Sequence, residues 1–577
     1  MPCVKRSLPL VLFLLASACA SGRKPAEPVH VVIVGTTDVH GWFNGHVEAP
    51  PGGGEGVLWG GLPVLATHVE ALREQHDGRV LLVDSGDMFQ GTLESNLFEG
   101  EAMIRGYNAM GYAAAAVGNH EFDFGPVGPE PIPRTKDDDP LGALKRNAEL
   151  AMFPLLSANM VEKATGKTPE WASPSTMVRS GGARIGIIGL TTPDTPAVTM
   201  GVNVESLSFT DPIAATIAEA RRLREQGADA VIVIAHMGGR CSDLSDEHVL
   251  ESCEVHHEAM GFLEGLPAGT IDAYFGGHTH ANMRHYVNGV PAVQGIAMSR
   301  EFSVIDLWID TARNRVTKTE MRMPTMICSF VYEGTESCDP RTAKQGAKLV
   351  PRVFGGETMV ADARVAAVLD PYLRRVAAKR DQKVGIATTA LFTRTSWGES
   401  PLGNLLADVL RKSSGADVAI VNSGGIRAEL PAGELTYGDI FAVSPFDNYP
   451  TLVILTGAQL IDLLRITSTG QRGIMQVSGL RYTYDAALKG TDRFVSATIE
   501  DGSPIDPEKL YTVVMPDFVA SGGDGTGEVM KGVPADRIQT SFAAPIRDIV
   551  IEQLAGQEKA LEPKVEGRIT VLNKPAR

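Results

Sequence analysis

The sequence predicts two α/β domains joined by a helix, and three observations carry the prediction. Short apolar runs recur along the first half, each ending in polar residues. Amphipathic helical patterns lie between several of them, the layout of strand–loop–helix units in a layered α/β domain. The chain has 577 residues, too many for one hydrophobic core.

The strand candidates come in order. Val31 to Gly35 ends in Thr-Thr-Asp, and Val80 to Val83 precedes Asp84-Ser85-Gly86-Asp87. Ala113 to Val117 precedes Gly118-Asn119-His120, and Ile185 to Leu190 precedes Thr191. Val231 to Ala235 precedes His236, and Ala273 to Phe275 precedes Gly276-Gly277-His278. Leu62 to Glu74 and Ala214 to Gln226 have the 3.6-residue period of helices packed on a sheet. This places the first domain at 29–330. Gly125 to Pro140 interrupts it with five prolines and the run Asp137-Asp138-Asp139, and reads as a surface loop or insertion. Residues 331–382 read as a linker whose helix, Ala361 to Asp381, has apolar positions at Val365, Val368, Leu369, Tyr372, Leu373 and Val376. A second domain follows at 383–573, with helices near Leu402–Leu410 and Ala458–Leu464. Its strands are near Val418–Val421, Thr451–Leu455 and Thr512–Met515.

Composition is that of a globular protein, with 44% hydrophobic and 21% charged residues. The net charge of -16 argues against a nucleic-acid polymer as partner, which calls for a basic face. A small anion is not excluded, because bound metal supplies its own positive charge. At the start, Lys5 and Arg6 precede an apolar run and Ala16-Ser17-Ala18-Cys19, a secretory signal over residues 1–18. The end of that signal fits an A-x-A cleavage site. It also resembles a bacterial lipobox, in which Cys19 is lipidated and residues 19–28 form a tether. Either ending makes an exported chain, free in the periplasm or held at a membrane as a lipoprotein. Cys241, Cys253, Cys328 and Cys338 then remain, an even number in an oxidising compartment. Three connectivities are open, and Cys241–Cys253 with Cys328–Cys338 are the local pairings.

Metal-capable residues cluster at the strand ends. Asp38 and His40 follow the first run and Asp87 the second. Asn119 and His120 follow the third, and His236, His278 and His280 the later ones. Alternate residues of an extended segment point the same way, so Asp38 with His40, and His278 with His280, are expected to converge from extended segments. Mixed nitrogen and oxygen donors suit Zn, Mn, Co or Fe. Two ions about 3.5–4 Å apart need seven or eight ligands with one bridging. Asp38, His40, Asp87, Asn119, His236, His278 and His280 make seven, with Asp87 able to bridge.

The ordered set D-x-H, G-D, G-N-H-E-x-D, A-H and G-G-H-x-H resembles the calcineurin-like metallophosphoesterases. The chain over 29–573 resembles the two-domain 5′-nucleotidase / UDP-sugar hydrolase family within them. The resemblance implies a four-layer α/β/β/α first domain and a C-terminal nucleotide-binding α/β domain. It implies that Asp38, His40, Asp87 and His280 hold one ion, and Asp87, Asn119, His236 and His278 the other. Some relatives have Gln in place of His280. His120 is implied beside the phosphoryl group, with Asp123 orienting its ring.

In the second domain, Asn422-Ser423-Gly424-Gly425-Ile426-Arg427 lets backbone approach a ligand, and Arg427 suits a phosphate or ribose oxygen. Pro445-Phe446-Asp447-Asn448 and the run Phe518 to Gly525 offer two rings for a base and a carboxylate for a ribose. The resemblance implies that Phe446 and Phe518 stack on the base, Asn422 and Asn448 read it, and Asp524 binds the ribose. Relatives carry further arginines before the L-G-N motif, where this chain offers Arg394. The activity implied is hydrolysis of nucleoside 5′-phosphates, with di- and triphosphates or UDP-sugars as further substrates. Alternatives are a 2′,3′-cyclic-nucleotide 2′-phosphodiesterase/3′-nucleotidase, a sulfur-oxidation hydrolase with a dimanganese centre, and a non-catalytic surface protein that binds nucleosides or adheres.

Overall fold

In the computed structural model, residues 27–574 are described except 49, 51–54, 129, 345 and 540–543. The leader and Cys19 lie outside the described residues. Among the described residues no helix is long and apolar enough to cross a membrane.

Alternation along β1 (Val29–Thr36) explains the layering. Val31 and Ile33 face a second sheet, whereas Val32 and Val34 face helices, the two-residue period of a strand buried on both sides. β1 pairs in parallel with β2 (Val80–Asp84), which continues through β3 (Ala114–Ala116) to β4 (Leu155–Leu156). The second sheet runs from β5 (Ser175–Ser180) to β6 (Ala183–Thr191), β7 (Ala230–His236) and β8 (Ala273–Phe275). It ends on the hairpin of β9 (Met283–Val287) and β10 (Val290–Gln294). The chain then returns to the first sheet, where β11 (Glu301–Asp310) lies antiparallel to β1. Ile185, Ile187, Ile232 and Ile234 fill the space between the sheets with Val31, Ile33 and Val83.

Helices cover the outer faces. α1 (Leu62–Gln75) buries Leu62, Leu65, Val69 and Leu72, spaced three or four apart, against the first sheet. α2 (Glu101–Met110) lies beside it. α3 (Pro212–Glu225), capped by the Asp211 carboxylate on the Ile213 N–H, covers the second sheet. This is the four-layer α/β/β/α arrangement.

The expected connecting helix is α4 (Ala363–Arg380). Asp362 caps it through the N–H groups of Arg364 and Val365. Its buried Val365 and Leu369 belong to the first domain's core, and the Tyr372 hydroxyl donates to Glu101 at 2.9 Å. The first half of the helix is therefore docked on the first domain's core, while Lys379 near its end lies over Tyr437 of the second domain. Both local disulfides form, Cys241–Cys253 and Cys328–Cys338.

In the second domain, α5 (Pro401–Ser414) begins at a Ser400 cap and packs on a mixed sheet. That sheet places β12 (Val418–Val421) beside β14 (Leu510–Pro516), which in turn pairs with β13 (Pro450–Thr456). Asn422 sits at the end of β12, and Asp517 and Phe518 follow β14. Phe446 and Asn448 lie in the loop leading into β13. These loops thus gather at one end of the strands, and that end faces the first domain.

Candidate active site

The parallel strands of both sheets deliver their carboxyl ends to one side, where α/β proteins place their chemistry. Asp38 follows β1, Asp87 follows β2, and Asn119 follows β3. His236 ends β7, and His278 and His280 follow β8. Ligand atoms of Asp38, His40, Asp87 and His280 lie within 4.8 Å of one another, as do those of Asp87, His236 and His278. The two groups share Asp87.

The local backbone differs from the extended segments expected around these residues. Asp38, His40, Asp87, His278 and His280 all have positive φ, from 49° to 77°. The pairs converge because sharp left-handed turns fold each loop back, not because alternate residues of a strand share a side. L-residues persist in this region only where surrounding structure enforces it, and such positions concentrate at functional sites. Here the backbone of each loop is pinned by another: Asp38 N–H to Gly86, His40 N–H to Asp87, and Met298 N–H to Asp38, at 2.7–2.9 Å. Gly118 must lack a side chain, since a Cβ there would lie 2.2 Å from Asp87 Oδ1.

The rings are held for coordination. His40 Nδ1–H donates to the Gln90 carbonyl at 2.8 Å, and His236 Nδ1–H donates to the Ser85 carbonyl at 2.9 Å. Each Nε2 is thereby directed into the cluster, as outer partners of metal-bound imidazoles do. Asn119 Nδ2 donates to the Val198 carbonyl at 2.9 Å, turning its Oδ1 toward His236 Nε2 at 3.0 Å. Asp87 Oδ2 lies 3.0 Å from His236 Nε2 and 3.7 Å from His40 Nε2, the position of a bridging oxygen.

The electrostatics fit cations at these points. Burial holds His278 down to about 3 and puts His40 well below its ordinary value, so both rings offer lone pairs. His40 Nε2 faces His280 Nε2 at 2.9 Å, a contact between two basic nitrogens that a shared cation relieves. Burial opposes ionisation of Asp38 and Asp87, yet neighbouring imidazoles outweigh it and both lie well below the carboxylate range. Burial also opposes the charge on His236, but Asp87 lifts it to about 10. A proton on Nε2 there bonds where a metal ion would serve. The donor set is mixed N and O, suited to Zn, Mn, Co or Fe.

Beside the cluster, His120 Nδ1–H donates to Asp123 at 2.6 Å, and Asp123 also accepts from the Thr199 hydroxyl at 2.8 Å. Burial works against a charged His120, but the Asp123 and Asp87 carboxylates prevail and raise its pKa. Two further residues escaped sequence reading. Thr199 carries no motif, and only the fold brings it to Asp123. Glu121 stands inside the G-N-H-E-x-D motif. It is 1% exposed and accepts from the N–H groups of Asp87 at 2.8 Å, Met88 at 2.6 Å and Gly118 at 2.6 Å. Its signal was the one polar residue left without a role in a motif whose others were assigned to the metal or to catalysis.

All seven residues singled out in the second domain, Arg394, Asn422, Arg427, Phe446, Asn448, Phe518 and Asp524, line one cavity of about 410 Å³ together with His120 and ligand candidates. This volume suits a small organic ligand. Asn422 Nδ2 donates to Asp524 at 2.8 Å, and Asn448 Nδ2 to Asp517 at 2.8 Å. The Phe518 ring packs on Gly523, where a Cβ would lie 2.5 Å from Cζ. Phe446 faces the His120 ring at 5.7 Å. Arg427 Nη2 reaches within 3.3 Å of His40 Nε2, whereas Arg394 is exposed at the cavity wall.

A two-sheet α/β domain with two candidate ligand groups that share Asp87 faces a second domain across a shared cavity, an arrangement suited to a metal-dependent phosphoesterase. Comparison with known proteins gives the family. The model of the calcineurin-like phosphoesterases matches residues 31–282, and that of the 5′-nucleotidase C-terminal domain matches residues 383–532. The protein UshA of Yersinia enterocolitica is 27% identical over 521 residues, covering 86% of each chain. A 5′-nucleotidase of Vibrio cholerae is 26% identical over 551 residues, covering 89% of each. The fold is also that of a 5′-nucleotidase precursor from Thermus thermophilus (TM-score 0.76, 24% identity), across 95% of this chain and all of that one. The chain belongs to the two-domain 5′-nucleotidase family of calcineurin-like metallophosphoesterases, and is a phosphoric monoester hydrolase.

Proposed function

We propose that this protein hydrolyses nucleoside 5′-monophosphates to nucleoside and phosphate. The observation that carries the reading is a single cavity with metal-ligand clusters on one wall and two phenylalanines, two asparagines and a carboxylate on the other. Asp38, His40, Asp87 and His280 would hold one divalent ion, and Asp87, Asn119, His236 and His278 the second. Such a pair supplies an activated hydroxide and a clamp on phosphoryl oxygens.

The remaining roles belong to the chain's own side chains. Arg427, beside His40, is placed to bind a phosphoryl oxygen, and Arg394 to meet a more distal one. Against burial, Asp123 and Asp87 favour the charged form of His120; when protonated it would stabilise charge on the phosphoryl group and could protonate the departing ribose oxygen. Thr199 holds the second face of Asp123, so the pair keeps one orientation. Phe446 and Phe518 offer faces for the base, Asn422 and Asn448 read its edge, and Asp524 accepts from the ribose hydroxyls. Nucleoside di- and triphosphates or UDP-sugars would need the same cavity with more phosphate in it. Export through the leader, with or without a lipid on Cys19, completes the reading and would set the enzyme on extracellular nucleotides.

The test is phosphate release by purified residues 21–577 with Zn, Mn or Co, using AMP, 3′-AMP, 2′,3′-cyclic AMP, ATP and UDP-glucose. Preference for AMP, lost in His120→Ala, supports the proposal. Preference for 3′-AMP or the cyclic ester moves the chain to the sister activity, and no turnover by metal-loaded protein overturns the nucleotidase reading.

A further inference from the structure

The proline-rich insertion at 125–140 lies next to the cavity. It leaves the chain directly after the G-N-H-E-F-D motif, and Pro131 reaches the cavity wall. Buried Asn203 ties it to the catalytic segment, donating from Nδ2 to the carbonyls of both Phe122 (2.9 Å) and Pro131 (2.8 Å). Gly128 N–H is held by Glu99 at 2.6 Å, and Glu99 is itself paired with Arg146 at 2.9 Å. At the tip, the Asp138 carboxylate accepts from the N–H groups of Arg134 and Thr135, both at 2.8 Å, which closes a tight turn.

That turn points Arg134 across the domain boundary. Its guanidinium stands 5.4 Å from the ring centroid of Tyr449 in the second domain, and Glu130 steadies it at 2.7 Å. Tyr449 directly follows Asn448, and its carbonyl accepts from Asp517 N–H at 2.8 Å. Asp517 in turn holds the Asn448 amide and the Phe518 N–H. The insertion therefore touches the second domain at the loop that carries half of the base-reading residues. Apolar Pro131, Phe124, Val198 and Met200 line the same cavity as Phe446 and Phe518.

We propose that this insertion is a strap that recognises the leaving group. It would fence the base end of the cavity from the first domain and, through Arg134 on Tyr449, hold Asn448 and Phe518 in register for a purine or pyrimidine. This assignment rests on the nucleotide reading above. It makes the strap a specificity device: among the described residues its hydrogen bonds run to neither the ligand candidates nor His120, so it acts on the nucleoside and not on the phosphoryl group.

The experiment compares AMP with ribose 5-phosphate, which shares the phosphate and the sugar and lacks the base. Arg134→Ala, at an exposed side chain, is expected to lower kcat/KM for AMP about two- to five-fold, the size of an exposed cation–π contact. Turnover of ribose 5-phosphate should stay unchanged. Arg134→Lys, which keeps a cation over the ring, should retain most of the AMP efficiency. In a Tyr449→Leu background Arg134→Ala should have no further effect. An equal fall for both substrates, or an Arg134→Ala effect that persists with Tyr449→Leu, overturns the strap. Equal wild-type efficiency on AMP and ribose 5-phosphate defeats the nucleotide reading beneath it. A wild-type preference for AMP that Arg134→Ala leaves intact defeats the strap alone.

Discussion

Glu121 organises two loops that carry ligand candidates, and Glu121→Gln should show it. One carboxylate oxygen takes the N–H of Asp87 and Gly118, the other that of Met88. The residues it fixes are the bridging candidate and the glycine immediately before Asn119. Burial and the Asp87 charge raise this carboxyl to about 8, while its three N–H partners and any cation on Asp87 favour the charged form. Every contact is a donor, so an amide nitrogen at either oxygen faces N–H groups and loses at least one hydrogen bond. A hydrogen bond to a charged group contributes about 1.5–3 kcal/mol. With about 1.4 kcal/mol per factor of ten, that corresponds to roughly a 10- to 100-fold loss, the range typical for outer partners of metal ligands. The assay is titration calorimetry of the metal-free protein with Zn or Mn, read as affinity and stoichiometry, with Asp123→Asn as a variant that leaves both loops alone. Wild-type affinity and two bound ions in Glu121→Gln would refute the reasoning.

Further outcomes follow from the same geometry. His120→Ala should lower kcat by about 100- to 10,000-fold, the span of general acid–base catalysis, without changing metal stoichiometry; a loss of metal would show that His120 acts on the site's structure instead. Phe446→Ala should raise KM for AMP by an amount matching about 1–3 kcal/mol of stacking and leave ribose 5-phosphate unaffected, which paired steady-state assays can check. Asp306 receives bonds from Arg322 at 2.7 and 2.8 Å and from His30 at 2.7 Å. Burial opposes its ionisation, but these partners win and depress its pKa. Its contribution to stability is therefore present above the unfolded value of about 3.9 and lost as pH falls through the lower folded value. Asp306→Asn should lower the melting temperature near neutral pH and converge on wild type toward acid, as thermal melts at several pH values would show.

Most of the framework was readable in one dimension because its rules are local. Unbroken apolar runs and strand-end polarity mark β1, β2, β7 and β8, since a strand covered on both sides must be apolar along its length. The helical period marks α1, α3 and α4, while the caps at Asp211 and Asp362 that start two of them came from the structure. Candidate ligands were legible because Asp, Asn and His at the ends of buried strands have few other reasons to recur. What failed was the local geometry. Extended segments were expected at Asp38–His40 and His278–His280, and left-handed turns are present, because residue identity does not report φ where neighbouring loops impose it.

The sequence by itself determined the layered α/β class, the inventory of nitrogen and oxygen donors, the aromatic and amide residues of the second domain, and the number and close spacing of the exported cysteines. These depend on side-chain chemistry and short-range periodicity. Tertiary structure alone decided that Thr199 bonds to Asp123 beside His120 and that Glu121 joins two loops. It also decided that Arg134 crosses to Tyr449. Each of these joins residues tens to hundreds of positions apart, and such contacts are set by how sheets and domains pack, which no local pattern along the chain encodes.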